Sequence, residues 1–230
     1  MEIEELISID RIEDALSAIR RGSLVVVVDD EDRENEGDLI MAAELATPEA
    51  IAFMVRWTSG VLCVALPGER LDALQIPMMV ARGNDSMQTA FTVTVDYRHG
   101  TTTGISAADR ATTIRALVDP QARAGDFNRP GHLFPLRSVP GGVLRRPGHT
   151  EATVDLCRLA GLREGGVLAE IVNDDGSMAR LPQLIRFARL HGLPIVSIRD
   201  LIDYRERSYA VDERMRSRGL LIARHAVNEV

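Results

Sequence analysis

Short apolar runs and amphipathic stretches alternate along most of this chain. Residues 24–28, Leu-Val-Val-Val-Val, are continuously apolar, and such a run predicts a strand that is buried on both faces of its sheet. Similar runs predict buried strands at 61–66, 167–172 and 195–198. Apolar and polar residues alternate from 91 to 96, which predicts a half-buried strand.

Between these strands, residues that favour helix ends mark five helices. Asp10 and Ser106 each precede an acid three residues later, which is the spacing of a capping box. Thr47 is followed by proline at the first helical position, Thr150 is the predicted N-cap of a fourth helix, and a fifth begins at Pro182. The five helices are predicted to end at Gly22, Gly60, Val118, Gly161 and Gly192.

The order of these elements predicts the fold class. Residues 119–142 are rich in Pro, Gly and Arg and are predicted to be mostly loop. No linker-like stretch interrupts the alternation of strands and helices. We therefore predict a single α/β domain of the α+β type over residues 1–205, with a mixed sheet flanked by helices. Residues 206–230 form a highly charged tail, for which a surface helix and partial disorder both stay open.

Composition narrows the class of protein further. Apolar residues make up 45% of the chain and charged residues 27%, as in ordinary globular proteins. No apolar run approaches the roughly 20 residues that cross a bilayer, and the acidic start Met-Glu-Ile-Glu-Glu lacks the positive charge of a signal peptide. We expect a cytoplasmic protein. A net charge of −7 argues against nucleic-acid binding, and Cys63 and Cys157 are predicted to be buried thiols.

The strongest charge feature is the segment 29–38, which follows the first predicted strand directly. It holds seven carboxylates and one cation, Arg33, so its net charge is −6. Carboxylates this close repel one another, and either a hard cation or full hydration stabilises such a cluster. A metal site and a solvated acidic turn are therefore both open. The position at the end of a rigid strand and the embedded Arg33, Gly37 and Asp38 favour the metal site.

A second segment, residues 145–151, combines cations, glycine and histidine ahead of a predicted helix. With Arg146 beside the helix N-terminus and Gly148 allowing close approach, the pattern is typical of a phosphate site. An ordinary N-cap preceded by a loop would explain those features equally well. His149 favours the functional reading as a ligand or acid/base group, although a surface histidine has the same signature.

Three further positions carry candidate chemistry. Hydroxyls at 101–106 precede another helix N-terminus, where they are either an oxyanion contact or simple caps. His132 lies in a predicted loop, and Glu170 lies within an apolar strand, where it is either a solvent-facing edge residue or an acid/base group with a raised pKa. Together these features indicate a Mg²⁺-dependent enzyme acting on a small phosphate ester.

Six motifs resemble one known family, 3,4-dihydroxy-2-butanone 4-phosphate synthase of riboflavin biosynthesis. They occur in the family's order at residues 29–40, 89–96, 102–110, 128–137, 148–152 and 173–180. The resemblance implies a lyase that converts D-ribulose 5-phosphate to L-3,4-dihydroxy-2-butanone 4-phosphate and formate. It also implies Mg²⁺ or Mn²⁺ as cofactor, with two ions per active site, and a homodimer with active sites at the subunit interface.

The resemblance also implies a role for each matched residue. Glu34 and His149 would be the metal ligands. Asp38, His132 and Glu170 would be the catalytic acid/base groups, with Asp38 a candidate proton acceptor. The residues implied to bind the substrate are Arg33, Glu34, Asp38, Thr103, Ser106, Arg146, Pro147, Gly148, His149, Thr150 and Glu170. Pro147 departs from the small flexible residue expected there, which puts the mobility of this loop in doubt.

Two other readings compete with this one. A non-catalytic member of the same fold would bind the sugar phosphate or the cation and release no formate. A Ca²⁺-binding structural module is disfavoured, because the acidic segment fails the EF-hand pattern: the glycine at position six and the closing bidentate acid do not occur together. Only about 25 residues follow Arg205, without a cysteine cluster. We therefore expect the monofunctional form rather than a fusion to GTP cyclohydrolase II.

Overall fold

The computed structural model describes residues 8–84 and 86–217, with side chains to residue 208. The helices are α1 (Ile12–Arg20), α2 (Pro48–Trp57), α3 (Gly68–Ala73), α4 (Ala107–Val118), α5 (His149–Leu159), α6 (Leu181–His191) and α7 (Ile198–Ser217). The strands are β1 (Val25–Val28), β2 (Gly37–Ala42), β3 (Cys63–Pro67), β4 (Val95–Tyr97), β5 (Phe127–Ser138), β6 (Gly166–Glu170) and β7 (Ile195–Ser197). None of the helices in this part of the chain is long and apolar enough to cross a bilayer.

The seven strands form one mixed sheet in the order β4-β5-β3-β6-β2-β1-β7. β1 with β7 and β3 with β5 are parallel pairs, whereas β2 is antiparallel to both β1 and β6. Helices cover both faces. This arrangement confirms the predicted α/β domain with a mixed sheet.

Two apolar layers, one on each side of the sheet, form the core. Val26 and Val28 of β1 pack in the layer that includes helices α2, α4 and α6, while Val25 and Val27 pack in the layer with α1 and α5. Alternate side chains of a strand point to opposite faces, so a strand covered by helices on both sides is apolar throughout. The structure confirms the predicted burial of the run at 24–28.

The predicted helices are all present, but two of the predicted caps are wrong. The Thr47 and Ser106 side chains cap α2 and α4 by accepting backbone N–H groups. Asp10 does not cap α1. Its carboxylate instead accepts the backbone N–H of Ile195 at 2.8 Å and a guanidinium N–H of Arg189. It thereby ties the N-terminal segment to β7, a long-range contact that no local pattern contains.

Thr150 is also not an N-cap. The N-cap of α5 is Gly148, without a side-chain cap, and Thr150 is the second helical residue. The helix therefore begins two residues earlier than the sequence predicts. This places His149 as its first residue.

The largest error of sequence reasoning is the segment 119–142, which contains the twelve-residue strand β5 rather than mostly loop. Phe134 to Ser138 pair with β3, and Leu133 pairs with Val95 of β4. The β4 register then shifts between Val95 and Asp96, so residues around Pro130 stand outside the regular ladder. A bulge of this kind accommodates proline within a sheet.

The predicted half-buried strand at 91–96 is correspondingly wrong over most of its length. Only Val95–Tyr97 is regular strand, and Phe91 and Thr92 form isolated bridges. Thr92, a polar position of that alternating pattern, is fully buried. Its backbone N–H and hydroxyl both donate to the carbonyl of Pro135, at 3.0 and 2.8 Å. Because proline has no N–H to return, the ladder is interrupted there.

The boundary predicted at residue 205 falls inside α7, which continues to Ser217. Arg205 is buried and bonds to Asp155 of α5. The first part of the predicted tail is therefore helical. Residues 218–230 lie outside the described residues. Cys63 and Cys157 are buried and unbridged, as predicted.

Candidate active site and metal centre

A cavity of about 230 Å³ opens where β2 and β3 begin, where β6 ends and where α5 begins. Its polar lining combines carboxylates and cations, while Cys63, Phe91, Leu136 and Leu168 supply an apolar wall. The charged and hydroxyl residues that line it are Arg33, Glu34, Glu36, Asp38, Thr89, Arg146, His149, Thr150 and Glu170. It is therefore a site for a small polar ligand.

Asp29 organises the acidic loop between β1 and β2. Its carboxylate accepts the backbone N–H groups of Glu34 and Glu36, at 3.0 and 2.9 Å, and a guanidinium N–H of Arg33 at 2.9 Å. Asn35 adopts the left-handed conformation, with φ of 54°, which asparagine tolerates. The loop is therefore folded back on Asp29, and Glu34 is directed toward α5.

Asp29, Glu34 and His149 form the one group of potential metal ligands found among the described residues. One donor atom from each lies within 4.8 Å of the other two. The Nδ1 atom of His149 is 3.4 Å from the Glu34 carboxylate, and its Nε2 atom is 3.2 Å from the carbonyl oxygen of Val27. Since Asp29 already accepts three N–H groups of its own loop, Glu34 and His149 are the better available ligands.

The pKa values of Glu34 and His149 move in opposite directions because the two groups interact strongly. The hydrogen bond with His149 lowers the pKa of Glu34 to about 2, helped by Arg33 and opposed by partial burial. Burial alone would lower the pKa of His149, but the carboxylates of Asp38, Glu34 and Asp29 outweigh it and raise this pKa to about 9. Without another cation, the carboxylates thus hold a proton on the imidazole. A divalent ion would replace that proton.

Asp38 is the most unusual group in the cavity. It is 3% exposed, and its Oδ1 atom has no hydrogen-bond partner among the described residues. Burial, together with the nearby charge of Glu170, raises its pKa to about 7, although His149 opposes the shift. A carboxyl group poised near neutral pH is suited to accept and return a proton.

Glu170 is the last residue of β6, directly opposite Asp38 in the β2–β6 register. Cross-strand partners project to the same face of a sheet, so the two carboxyls share the cavity. The Ser59 hydroxyl donates to Glu170 Oε2 at 2.7 Å. β6 lies between β3 and β2 in the sheet. Glu170 is therefore not the edge-strand residue that the sequence had left open.

The first turn of α5 and two arginines form the cationic side of the cavity. N–H groups at a helix N-terminus lack intrahelical partners and favour anions; at α5 these belong to His149, Thr150 and the next residue. A side chain at Gly148 would collide with the guanidinium groups of Arg146 and Arg33. Gly148 therefore lets both cations approach the helix end.

Five predicted site residues in the described part of the chain do not line this cavity. One is Gly148, the N-cap of α5. Thr103, Ser106 and Pro147 are exposed, and Ser106 caps α4 by accepting the Asp109 N–H. His132 is exposed on β5, and its Nδ1 is 2.6 Å from the Asp96 carboxylate. His132 precedes the cavity residue Leu136 by four positions, or about 13 Å along a strand.

His132 nevertheless has a well-defined setting of its own. Asp96 also accepts its backbone N–H at 2.9 Å. A side chain at Gly131 would overlap the backbone of Val95 and Asp96, so glycine is required for this close approach. Asp96 thus fixes the orientation of the imidazole.

Sequence reasoning missed several residues that line the cavity, contact Glu170 or contact His132. Glu36 lies in the acidic segment and could have been singled out by its charge. Asp96 closes the motif at 89–96, yet nothing local links it to His132. Ser59 carries no sequence signal, because only the pairing of β6 with its neighbours brings it to Glu170.

An α/β fold with a buried acid, a histidine–carboxylate pair and a cationic helix end around one cavity defines an enzyme for a phosphorylated substrate. A family model described as 3,4-dihydroxy-2-butanone 4-phosphate synthase matches residues 13–204. The enzyme of that name from Agrobacterium fabrum is 64% identical over 197 residues, covering 86% of this chain and 92% of that protein. The one from Photorhabdus laumondii is 55% identical over 199 residues, with coverage of 86% and 92%.

A solved structure of an enzyme with the same name is also similar to this chain. A crystal structure of a 3,4-dihydroxy-2-butanone 4-phosphate synthase in complex with two magnesium ions is similar, with a TM-score of 0.85 at 49% identity. The match covers 87% of this chain and 98% of the other. The chain belongs to the 3,4-dihydroxy-2-butanone 4-phosphate synthase family.

Proposed function

We propose that this chain converts D-ribulose 5-phosphate to L-3,4-dihydroxy-2-butanone 4-phosphate and formate, a lyase reaction of riboflavin biosynthesis. The observation that carries the proposal is the buried carboxyl of Asp38, whose Oδ1 atom has no hydrogen-bond partner among the described residues and lies 4.0 Å from His149 Nε2. Glu34, Arg33 and Arg146 line the same cavity. These groups would supply a proton acceptor, a cation site and a phosphate site in one cavity.

The residues of the cavity fit a divalent cation. Glu34 and His149 would hold it, since hard cations take carboxylate oxygens and imidazole is a common ligand. The raised pKa of His149 supports this fit, because it reports excess negative charge around the ring. A bound Mg²⁺ or Mn²⁺ would supply Lewis-acid stabilisation of negative charge on the substrate oxygens. The similar structure is in complex with two magnesium ions, and we include two ions per active site in the same proposal.

Three acid/base groups would move the protons. The reaction removes a proton beside the ketone, loses water, rearranges the carbon skeleton, and takes up one water again when C4 is cleaved as formate. These steps require proton transfers at several carbons. Asp38 has the pKa of a proton acceptor near neutrality. Glu170 shares its cavity, and His132 would serve as the third group, oriented by Asp96.

Arg146, Thr150 and the N-terminus of α5 would hold the phosphate, and Arg33 would contact the sugar. The guanidinium groups of Arg33 and Arg146 both lie over Gly148, so two positive charges meet at the helix end. Charge-assisted hydrogen bonds of this kind are about twice as strong as neutral ones. They orient the reacting carbons relative to Asp38.

A homodimer would explain the separate position of His132. His132, Thr103 and Ser106 are exposed and outside the cavity of their own chain, so a second copy would bring them to it. Exposed apolar side chains that support an interface are Val61, Met78, Met79, Val80 and Ile105. Mixing an inactive His132→Ala chain with an inactive Glu170→Gln chain should restore part of the activity, since one site of a heterodimer would be intact.

The decisive experiment is incubation with ribulose 5-phosphate and Mg²⁺, followed by an assay for formate. Formate release that EDTA abolishes and Mg²⁺ restores would support the proposal. Metal-dependent substrate binding without formate would instead identify the non-catalytic alternative. The cytoplasmic location, the preference between Mg²⁺ and Mn²⁺ and the lack of nucleic-acid partners stay predictions.

A further inference from the structure

The buried face of α5 carries two carboxylates one turn apart, Glu151 and Asp155, each 1% exposed. Both accept backbone N–H groups of the segment 139–148, which connects β5 to α5. Glu151 Oε1 accepts from Val139 at 2.9 Å, and Asp155 Oδ2 accepts from Val143 at 2.8 Å. Helix α5 therefore holds the first half of the connection, which leads to Arg146.

The two carboxylates differ in their second partner. Glu151 Oε2 accepts from Arg146 Nη1 at 2.6 Å, whereas Asp155 accepts from Arg205 Nη1 of α7 at 2.7 Å. Arg146 also donates through Nη2 to the carbonyl of Met87 at 2.9 Å. These two bonds use two of the five guanidinium N–H groups, and they fix the plane of the group at the rim of the cavity.

We propose that Glu151 is a positioning residue for the phosphate site: its carboxylate holds Arg146 in the orientation in which the remaining N–H groups receive the substrate's phosphate. This inference rests on the proposed function of the same cavity. A carboxylate beside an anion site weakens the local positive potential, which works against binding. The benefit is orientation, because an arginine that is already ordered loses less side-chain entropy when the anion binds.

Charge and shape make Glu151→Gln a sharp test. The glutamine oxygen can still accept the Val139 N–H, so the loop contact survives. Its amide N–H₂, however, faces Arg146 Nη1 donor against donor, and Arg146 loses its fixed orientation. We expect the inhibition constant of inorganic phosphate and the KM for ribulose 5-phosphate to rise roughly tenfold, within the range of a lost charge-assisted bond. We expect kcat and the Kd for Mg²⁺ to change little.

Asp155→Asn is the matched control. It alters an equally buried carboxylate on the same helix face, but that group does not touch Arg146. It should lower Tm while leaving phosphate inhibition near the wild-type value. In the Arg146→Ala background, Glu151→Gln should cause no further loss of phosphate affinity. An equal rise in both single variants, or no rise in Glu151→Gln, would overturn the proposal.

Two further measurements test the role of Glu151 when the chain releases no formate or when Glu151→Gln does not fold. Calorimetric titration with inorganic phosphate tests the positioning role without turnover, so a chain that releases no formate would refute the proposed function and still report on Glu151. If Glu151→Gln does not fold, Glu151→Asp keeps the charge and retracts it by one methylene. Phosphate affinity should then fall several-fold, and unchanged affinity would contradict the inference.

Discussion

Glu170→Gln is the perturbation that most directly tests the acid/base assignment. Glutamine has nearly the same shape, and its amide oxygen can keep the hydrogen bond from the Ser59 hydroxyl, now 2.7 Å from Glu170 Oε2. The β6 backbone pairing with β2 does not involve the side chain. The substitution therefore removes one negative charge and the ability to carry a proton, with little else changed.

The expected magnitude follows from the role. Loss of a general acid or base lowers turnover by roughly 10²–10⁴, or about 2.7–5.4 kcal/mol in the activation barrier. Stability should hold or rise, because Glu170 repels the neighbouring Asp38 and Glu36 and contributes to their raised pKa values. A large fall in kcat with an unchanged or higher Tm is therefore the expected signature.

The assay is steady-state formate release, with the Kd for Mg²⁺ and the Tm measured on the same preparations. Ser59→Ala is the control, since it removes only the hydroxyl that contacts Glu170. We expect that change to cost about tenfold in kcat, because it removes one hydrogen bond to the carboxylate and leaves the group that carries the proton in place. Near-normal formate release by Glu170→Gln would refute the catalytic role and leave the metal and phosphate assignments intact.

Three further predictions concern the same cavity. Glu34→Gln should weaken Mg²⁺ binding and abolish formate release, and full activity of this variant without metal would contradict the metal assignment. Arg146→Ala should raise the KM for ribulose 5-phosphate by roughly ten- to a hundredfold, which initial-rate kinetics would measure; an unchanged KM argues against the phosphate contact. Burial raises the pKa of Asp38 from 3.8 to about 7, so the folded metal-free chain binds a proton that the unfolded chain releases, and stability falls as pH rises through that window. In EDTA at pH 8, Asp38→Asn should therefore melt at or above the wild-type temperature, and a clearly lower Tm would show that the charged carboxylate stabilises the fold.

Local sequence patterns determined most of the secondary structure and the chemical character of the cavity. The run at 24–28 had to be buried on both faces, and glycines, prolines and caps such as Thr47 bounded the helices close to where they lie. The density of carboxylates at 29–38 and the Arg-Gly-His segment before α5 indicated a cation and an anion site. These properties depend on residues that are close in sequence, so local sequence patterns can predict them.

Tertiary structure alone decided how those groups are combined. β5 is a strand because β3 and β4 pair with it, and its prolines and arginines conceal that from any local pattern. Asp38 has a raised pKa because β6 brings Glu170 opposite it in a site shielded from water. Ser59 and Asp96 gain their partners across 111 and 36 positions. Burial and the interaction of charges that are distant in sequence depend on which surfaces meet in the fold. The order of residues along the chain does not specify the distances between those surfaces.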